Sequence, residues 1–163
     1  GYAVHSLSDI VREEAAEQKL PPEREHLIRI GQQLRRAHGP GVLAERILAR
    51  LESPAVVDSI RSPTEVEVLR RRDDFRLLAI DAPARLRWER AMARGRAGDA
   101  TTFEAFAEQE ERENQDRPEA QQVRRAIAMA DETLRNGSDL AALHAGLEAL
   151  VERWELTGLK PNP

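Results

Sequence analysis

The chain has 163 residues, the length of one domain, and a formal net charge of −4. This charge argues against bulk affinity for nucleic acid, and the lack of cysteine excludes disulfides and thiol chemistry. The four histidines do not have metal-ligand spacing, and no apolar run approaches the roughly 18 residues of a membrane span. We therefore expect a cytoplasmic protein without a metal site, a membrane anchor or a nucleic-acid partner.

Four short β-prone segments alternate with helical patterns along the chain. Ser8 follows the first segment and should cap the next helix, and Asp58 ends the second segment. Ser62, Pro63 and Glu65 together form a strong helix start. This alternation predicts a parallel α/β sheet with helices on both faces. The predicted strands are 2–7, 55–58, 75–81 and 130–135, and the helices are 8–18, 23–37, 42–51, 62–72, a helix from Pro83, one capped at Thr101, one from Val123 and a last one capped at Ser138.

The charged residues are unevenly distributed. Residues 85–96 hold five arginines and one acid, whereas residues 104–119 hold seven acids and two arginines. A cationic stripe within an acidic protein suits a small anionic ligand. Arg87, Arg90 and Arg94 fall on one helical face, where like charges repel one another. Either a phosphate ligand or acidic partners such as 104–119 would offset that repulsion, and the sequence leaves both open.

Polar residues follow the first two predicted strands. Because parallel strands bring their carboxyl ends to one edge of a sheet, Asp9, Arg12, Asp58 and Arg61 should lie along that edge. The two arginines could clamp a phosphate through bidentate hydrogen bonds, and either aspartate could hold a magnesium ion through water. Alternatively, both aspartates cap helices and both arginines are solvated.

Four motifs follow one another in the order in which one enzyme family carries them. Residues 8–12 (SDIVR) stand where adenylate kinases have a G-D-M-L-R-like segment, and residues 58–61 (DSIR) stand where they have D-G-F-P-R. Arg90 and Arg94 match R-x-x-x-R on the helix that leads into the lid, and residues 136–140 (NGSDL) match the close of the core. The chain resembles the nucleoside-monophosphate-kinase branch of P-loop enzymes, nearest to small archaeal and bacterial proteins related to adenylate kinase and dephospho-CoA kinase.

The resemblance implies a doubly wound parallel sheet of the P-loop NTPase type over residues 1–156, followed by a tail or linker at 157–163. It also implies ATP and Mg²⁺ as cofactors and a lid at about 97–117. For Arg112, which lies in that lid, the acidic surroundings are equally typical of a solvated helix. By the resemblance, Ser8, Arg12, Asp58 and Arg61 bind the acceptor, Arg90, Arg94 and Asn136 bind the donor nucleotide, and Asp9, Arg94 and Arg112 serve catalysis.

The sequence departs from the family in one large respect. The phosphate-binding loop G-x-x-x-x-G-K-[ST] and any Lys-Ser or Lys-Thr pair are absent from it, and it starts at Gly1. We therefore expect a truncated domain without its central first strand. The strands near 3–7 and 55–58 should then pair, and so should those near 77–81 and 133–136. Between the two pairs we expect either an empty position or a direct pairing of 55–58 with 77–81. An open sheet edge between these pairs would favour homodimers.

Three functions agree with this sequence. In the first, the chain is a fragment of an ATP-dependent kinase that phosphorylates a phosphorylated or nucleoside-like acceptor, and it is inactive alone. In the second, it is a non-catalytic module that binds a nucleotide or phosphate for regulation, such as the kinase-like part of a fusion with a deaminase. In the third, it is a structural domain whose exposed sheet another chain covers.

Overall fold

The computed structural model describes residues 2–52, 54–95, 99–114 and 121–156. The tail at 157–163 and parts of the expected lid lie outside these residues. Within them, four strands alternate with eight helices in an α/β fold, and none of these helices is both long and apolar enough to cross a membrane. The elements are β1 (Ala3–Ser6), α1 (Leu7–Glu17), α2 (Arg24–His38), α3 (Val42–Leu48), β2 (Ala55–Asp58), α4 (Pro63–Leu69), β3 (Leu78–Asp81), α5 (Ala84–Arg94), α6 (Phe103–Glu113), α7 (Val123–Ala128), β4 (Glu132–Arg135) and α8 (Leu140–Arg153).

The four strands form two parallel pairs. β1 pairs with β2, with Val4 opposite Val56, and β3 pairs with β4, with Ile80 opposite Leu134. Among the described residues, no hydrogen-bonded ladder joins one pair to the other. The predicted pairing is therefore confirmed, and these residues form two small parallel sheets rather than one continuous sheet.

Helices α1 to α4 build the main hydrophobic core. Each helix buries one stripe of apolar side chains, so that Leu7 and Ile10 of α1 belong to one cluster with Ile30 of α2 and Leu43 of α3. Burying a side chain of this size contributes about 1.5–3 kcal/mol. Val57 of β2 packs against the same cluster, which attaches the first strand pair to the helices.

A smaller cluster attaches the second strand pair to the main core. It consists of Val66, Leu77 and Ala126, and Ile60 and Phe75 pack against both clusters. Because α4 contributes buried residues to each cluster, this short helix links the two strand pairs.

The acidic segment forms α6, which packs on α5. Thr102 caps α6, one residue after the predicted Thr101, and its hydroxyl accepts a hydrogen bond from a backbone N–H three residues later. Trp88 of α5 and Phe103 of α6 meet edge to face, with ring centroids 6.0 Å apart. The Arg85 guanidinium lies 5.2 Å from the Phe103 centroid and 5.7 Å from the Trp88 centroid. We call these three side chains the aromatic brace, because they hold the start of α6 against α5.

Two other helices also begin at a residue different from the predicted one. α1 begins directly after Ser6, because Leu7 is already buried in the core, and the prediction that Ser8 caps this helix was wrong. α8 is capped by Asp139 rather than Ser138, and the Asp139 carboxylate accepts a backbone hydrogen bond at 2.8 Å. A negative cap at this position also suits the positive end of the helix dipole.

One face of the first strand pair is largely uncovered. Val4 is 70% exposed and its paired residue Val56 is 44% exposed. Val57, on the opposite face of β2, packs on the main core. Exposed apolar side chains on a sheet favour association, so the expected homodimer stays a prediction.

Candidate functional site

A cavity of about 560 Å³ lies at the carboxyl end of β3, where Ile80 and Asp81 form part of its wall. Open parallel α/β proteins bind their ligands at this end of the strands. Helices α2, α5, α6 and α7 supply most of the remaining wall. The lining residues are Arg24, Arg61, Ile80, Asp81, Arg87, Ala91, Arg94, Asp99, Phe106, Gln109, Glu110, Asn114, Gln121, Val123, Arg124 and Ile127.

Arg87 is held at the cavity by two carboxylates. Its Nε and Nη2 atoms donate to the two carboxylate oxygens of Glu110 at 2.9 and 2.7 Å, and its Nη1 lies 3.2 Å from Asp81 Oδ1. Nη1 also donates to the carbonyl of Ala82. The hydrogen bond with Glu110 raises the pKa of Arg87 above its ordinary value, so this guanidinium keeps its charge throughout the physiological range.

Three further arginines of the lining form ion pairs. Arg94 Nη2 donates to Asp99 Oδ2 at 3.0 Å, and Arg24 Nη1 lies 3.8 Å from Asp99 Oδ1. Asp99 is largely buried, so one carboxylate holds cations from α2 and α5 together at the cavity. Arg124 of α7 pairs with Glu111 of α6 at 2.7 Å.

Arg61 reaches the cavity from the loop that follows β2. Its Nη1 donates to Gln121 Oε1 at 3.1 Å. Its backbone N–H donates to Glu65 Oε2 at 2.8 Å, and its carbonyl accepts from Gln122 N at 2.7 Å. Both the N–H and the carbonyl of Arg61 are therefore hydrogen-bonded, which fixes the position of the backbone that carries this side chain.

Beside the cations, the cavity has an apolar wall formed by Ile80, Ala91, Phe106, Val123 and Ile127. Ligand sites combine such apolar surface with a few polar groups that fix the orientation of the ligand. The arrangement therefore suits a small molecule that joins an anionic group to an apolar or aromatic body.

Two of the predicted site residues, Arg61 and Arg94, line this cavity together. In the arginine stripe, Arg87 pairs with Glu110 and Arg94 pairs with Asp99, so acidic side chains offset part of the repulsion, and a phosphate ligand stays the other alternative. Arg112 does not line the cavity. It is exposed on α6, and its Nε atom donates to the backbone carbonyl of Glu108 at 3.3 Å.

Arg90 and Asn136, predicted to contact the donor nucleotide, lie together outside the cavity lining. Arg90 Nη1 donates to the Asn136 carbonyl at 2.9 Å, and Nη2 donates to the Ser138 carbonyl at 3.2 Å. The side-chain oxygen of Asn136 is buried, and no described residue donates a hydrogen bond to it. Such unsatisfied buried oxygens are uncommon in folded proteins.

Ser8, Asp9 and Arg12 form a separate cluster at the carboxyl end of β1. Arg12 Nη1 donates to Ser8 Oγ and to Asp9 Oδ1, both at 2.7 Å. Ser6 Oγ lies 2.8 Å from Ser8 Oγ and donates to Ser59 Oγ at 3.0 Å. These residues connect the ends of β1 and β2 but do not line the cavity that Arg61 lines.

The turn after β2 is strained at Ser59. Asp58 ends the strand with an exposed side chain, and Ser59 has a φ of 62°, in the left-handed region that favours glycine. Glycine is the residue that the D-G-F-P-R motif places after its aspartate. The hydrogen bond from Ser6 helps to hold Ser59 in this conformation.

Protein-family models give no match to this sequence. The chain is 36% identical over 162 residues to a UPF0200 protein of Hyperthermus butylicus, and the match covers 97% of the chain and 83% of that protein. The chain belongs to the UPF0200 family. UPF0200 proteins of Pyrococcus abyssi and Halobacterium salinarum are 30% and 35% identical to it over 162 and 159 residues. These matches cover 94% and 93% of the chain, and 84% and 80% of the two relatives. The names of these UPF0200 relatives state no activity.

Several side chains that line this cavity of the UPF0200 chain could not be predicted from the sequence. Arg24 and Arg124 line the cavity, but in the sequence nothing distinguishes them from other helix arginines. Asp81, in contrast, could be recognised from the sequence as a candidate site residue, because it ends a predicted strand. In the described part of the chain, no group of three or more histidine, aspartate or glutamate side chains could hold a metal ion. The charged side chains of the lining are five arginines, which can form bidentate hydrogen bonds with anions, and three carboxylates.

Proposed function

We propose that this UPF0200 chain is part of a P-loop nucleotide-kinase-like phosphotransferase, which uses ATP and Mg²⁺ on a phosphorylated or nucleoside-like acceptor. The observation that carries the proposal is the convergence of Arg61, Arg87 and Arg94 on one cavity at the carboxyl end of β3. Phosphoryl transfer depends mainly on positioning and on stabilisation of charge by such cations, with little covalent chemistry from the protein.

The strand pairing supports the same proposal. Both strand pairs are parallel, and a doubly wound kinase sheet needs one more strand between β2 and β3. In the proposed complete fold, a strand and a phosphate-binding loop from outside residues 1–163 fill this position. That loop would bind the phosphates of the donor nucleotide through its backbone N–H groups.

The residues of this chain fit the phosphates of a nucleotide rather than a resident metal ion. Magnesium would arrive with the nucleotide and neutralise phosphate charge when bound. Arg61 and Arg94 would bind and orient the acceptor phosphate and the transferred group, and the apolar wall would exclude water from them. Arg12 remains our second candidate for the acceptor phosphate, because Ser8 and Asp9 already hold its guanidinium at the end of β1.

Nucleotide binding to variants of the chain tests the role of the cavity. We expect Arg61→Ala and Arg94→Ala each to weaken binding of AMP or ADP, measured by calorimetry. Each removes a hydrogen bond to a charged group, worth about 1.5–3 kcal/mol. Arg50→Ala is the matched control, because Arg50 pairs with Glu13 and does not line the cavity. Equal affinities in all three variants would remove the cavity from consideration as the nucleotide site.

A non-catalytic nucleotide- or phosphate-binding module is the second candidate. One observation favours it: the sequence contains neither a Lys-Ser nor a Lys-Thr pair, so these residues supply no complete phosphate-binding loop. An assay of ATP turnover with the complete parent protein distinguishes a kinase from a binding module. A kinase should form ADP in proportion to added acceptor and lose this activity in Arg94→Ala. A protein that binds nucleotide tightly and turns over no ATP with any acceptor is a sensor.

A further inference from the structure

Glu65 is fully buried at the start of α4, with 0% of its surface exposed. Its Oε1 atom accepts a hydrogen bond from Arg35 Nη2 of α2 at 2.8 Å, and Arg35 is itself only 7% exposed. Its Oε2 atom accepts from the backbone N–H of Arg61 at 2.8 Å. One buried carboxylate therefore joins α2 and α4 to the loop that carries a cavity arginine.

The carbonyl side of Arg61 is bound independently of Glu65. Gln122, which is buried before α7, donates its backbone N–H to the Arg61 carbonyl at 2.7 Å. The next residue back, Gln121, contacts the Arg61 guanidinium and lines the cavity. A shift of the Arg61 backbone would therefore have two effects. It would move the Arg61 guanidinium, and it would weaken the hydrogen bond from the Gln122 N–H to the Arg61 carbonyl.

Stability alone is a poor explanation for the buried pair of Arg35 and Glu65. Taking two charges out of water is costly, and a well-packed apolar pair of similar volume is often as stable or more stable. In addition, Arg35 Nε is buried, and no described group accepts its hydrogen. A carboxylate is, however, a strong acceptor for a backbone N–H that has to stay in one place.

We propose that Glu65 and Arg35 are positioning residues for the anion site. Arg35 orients the Glu65 carboxylate, and Glu65 holds the Arg61 backbone so that the guanidinium stays at the cavity. Neither Glu65 nor Arg35 lines the cavity, so both act through Arg61. This inference rests on the proposed function, because it treats Arg61 as a ligand of the bound anion.

The test replaces the pair by apolar residues in the full chain. Arg35→Met/Glu65→Leu should keep a cooperative melt, because the new side chains can pack. It should weaken binding of AMP by about 10- to 100-fold, since the Arg61 N–H loses a charge-assisted bond. Hydrogen exchange at the Gln122 amide should accelerate, while amides of α1 stay unchanged. The matched control, Arg50→Met/Glu13→Leu, removes an exposed ion pair and should change none of these values.

A second variant covers the case in which the double variant does not fold. Glu65→Gln keeps the shape of the side chain but offers a neutral oxygen, which is a weaker acceptor than a carboxylate. It should accelerate Gln122 exchange and weaken AMP binding by a smaller factor, about 3- to 10-fold.

Two results would overturn the inference. The first is a folded Glu65 variant with the affinity and the Gln122 exchange of the wild type. The second is faster Gln122 exchange without loss of affinity. If the wild-type chain does not bind AMP at all, the proposed function fails. The Gln122 amide of the Glu65 variants still tests the positioning role by itself: faster exchange means that Glu65 holds the Arg61 loop, and unchanged exchange means that it does not.

Discussion

Removal of the Phe103 ring should release α6 from α5 without unfolding the main core. Phe103 provides one half of the edge-to-face contact with Trp88 and one of the two rings beside Arg85. Both interactions act between α5 and the first residue of α6, whereas the core of α1 to α4 contains neither ring. Phe103→Ala therefore tests whether the aromatic brace holds the helix that carries Glu110.

The size of the effect follows from these two contacts. An edge-to-face aromatic pair contributes about 0.5–1.5 kcal/mol beyond its buried area, and a cation–π contact at an exposed site about 0.5–1 kcal/mol. Together they stabilise the docked helix by roughly 1–2.5 kcal/mol. At about 1.4 kcal/mol per factor of ten, the undocked population of α6 should rise about 5- to 60-fold in Phe103→Ala.

Hydrogen exchange resolved by residue measures this change. Amides of α6 should exchange faster in Phe103→Ala, and amides of α1 and α2 should keep their wild-type rates. Arg85→Gln removes only the cation–π contacts, so it should give a smaller acceleration in the same helix. Equal acceleration in α1 and α6 would mean that Phe103 supports the whole fold. Unchanged exchange in α6 would mean that ion pairs such as Arg87–Glu110 hold the helix without the brace.

Three further predictions concern stability and association. Ile30→Ala should lower the free energy of unfolding by about 2–5 kcal/mol in urea titrations, because Ile30 is completely buried in the main core, and a loss below about 1 kcal/mol would contradict that packing. Ser59→Gly should stay within about 1 kcal/mol of the wild type, whereas Ser59→Val should cost about 1–3 kcal/mol at a φ of 62°; equal melting of both variants would argue against backbone strain there. Val4→Lys should reduce self-association of the chain in sedimentation experiments without lowering its melting temperature, because Val4 is already exposed, and undiminished association would place the contact on another surface.

Much of the fold could be predicted from the sequence, because its signals are local. Apolar runs that end in an aspartate located β2 and β3, and the Ser62, Pro63 and Glu65 pattern located the start of α4. The start of α1 was mispredicted because it depends on a tertiary effect, the burial of Leu7. Whether Ser6 or Ser8 precedes the helix is decided by the core and not by the serines.

The site was less predictable, because helical spacing shows only which side chains share a face. This spacing placed Arg87 and Arg94 on one face of α5 but could not show which side chains face them. In the structure, Glu110 pairs with Arg87 and Asp99 pairs with Arg94. The Arg35–Glu65 pair spans 30 residues and lies between helices whose relative position the sequence does not encode locally. For the same reason, Glu65 was identified as a helix cap and not as a partner of Arg35.

The ion pairs around the cavity have a consequence for the charge of its ligand. The lining contains five arginines and three carboxylates, so its formal balance is 5 − 3 = +2. A phosphomonoester carries about −1.5 to −2 at neutral pH, and one such group would bring the lining close to electroneutrality. A singly charged anion would leave an excess of positive charge, and a bare triphosphate would reverse the sign. By this count of the lining residues alone, one phosphate group matches the formal charge better than a triphosphate does.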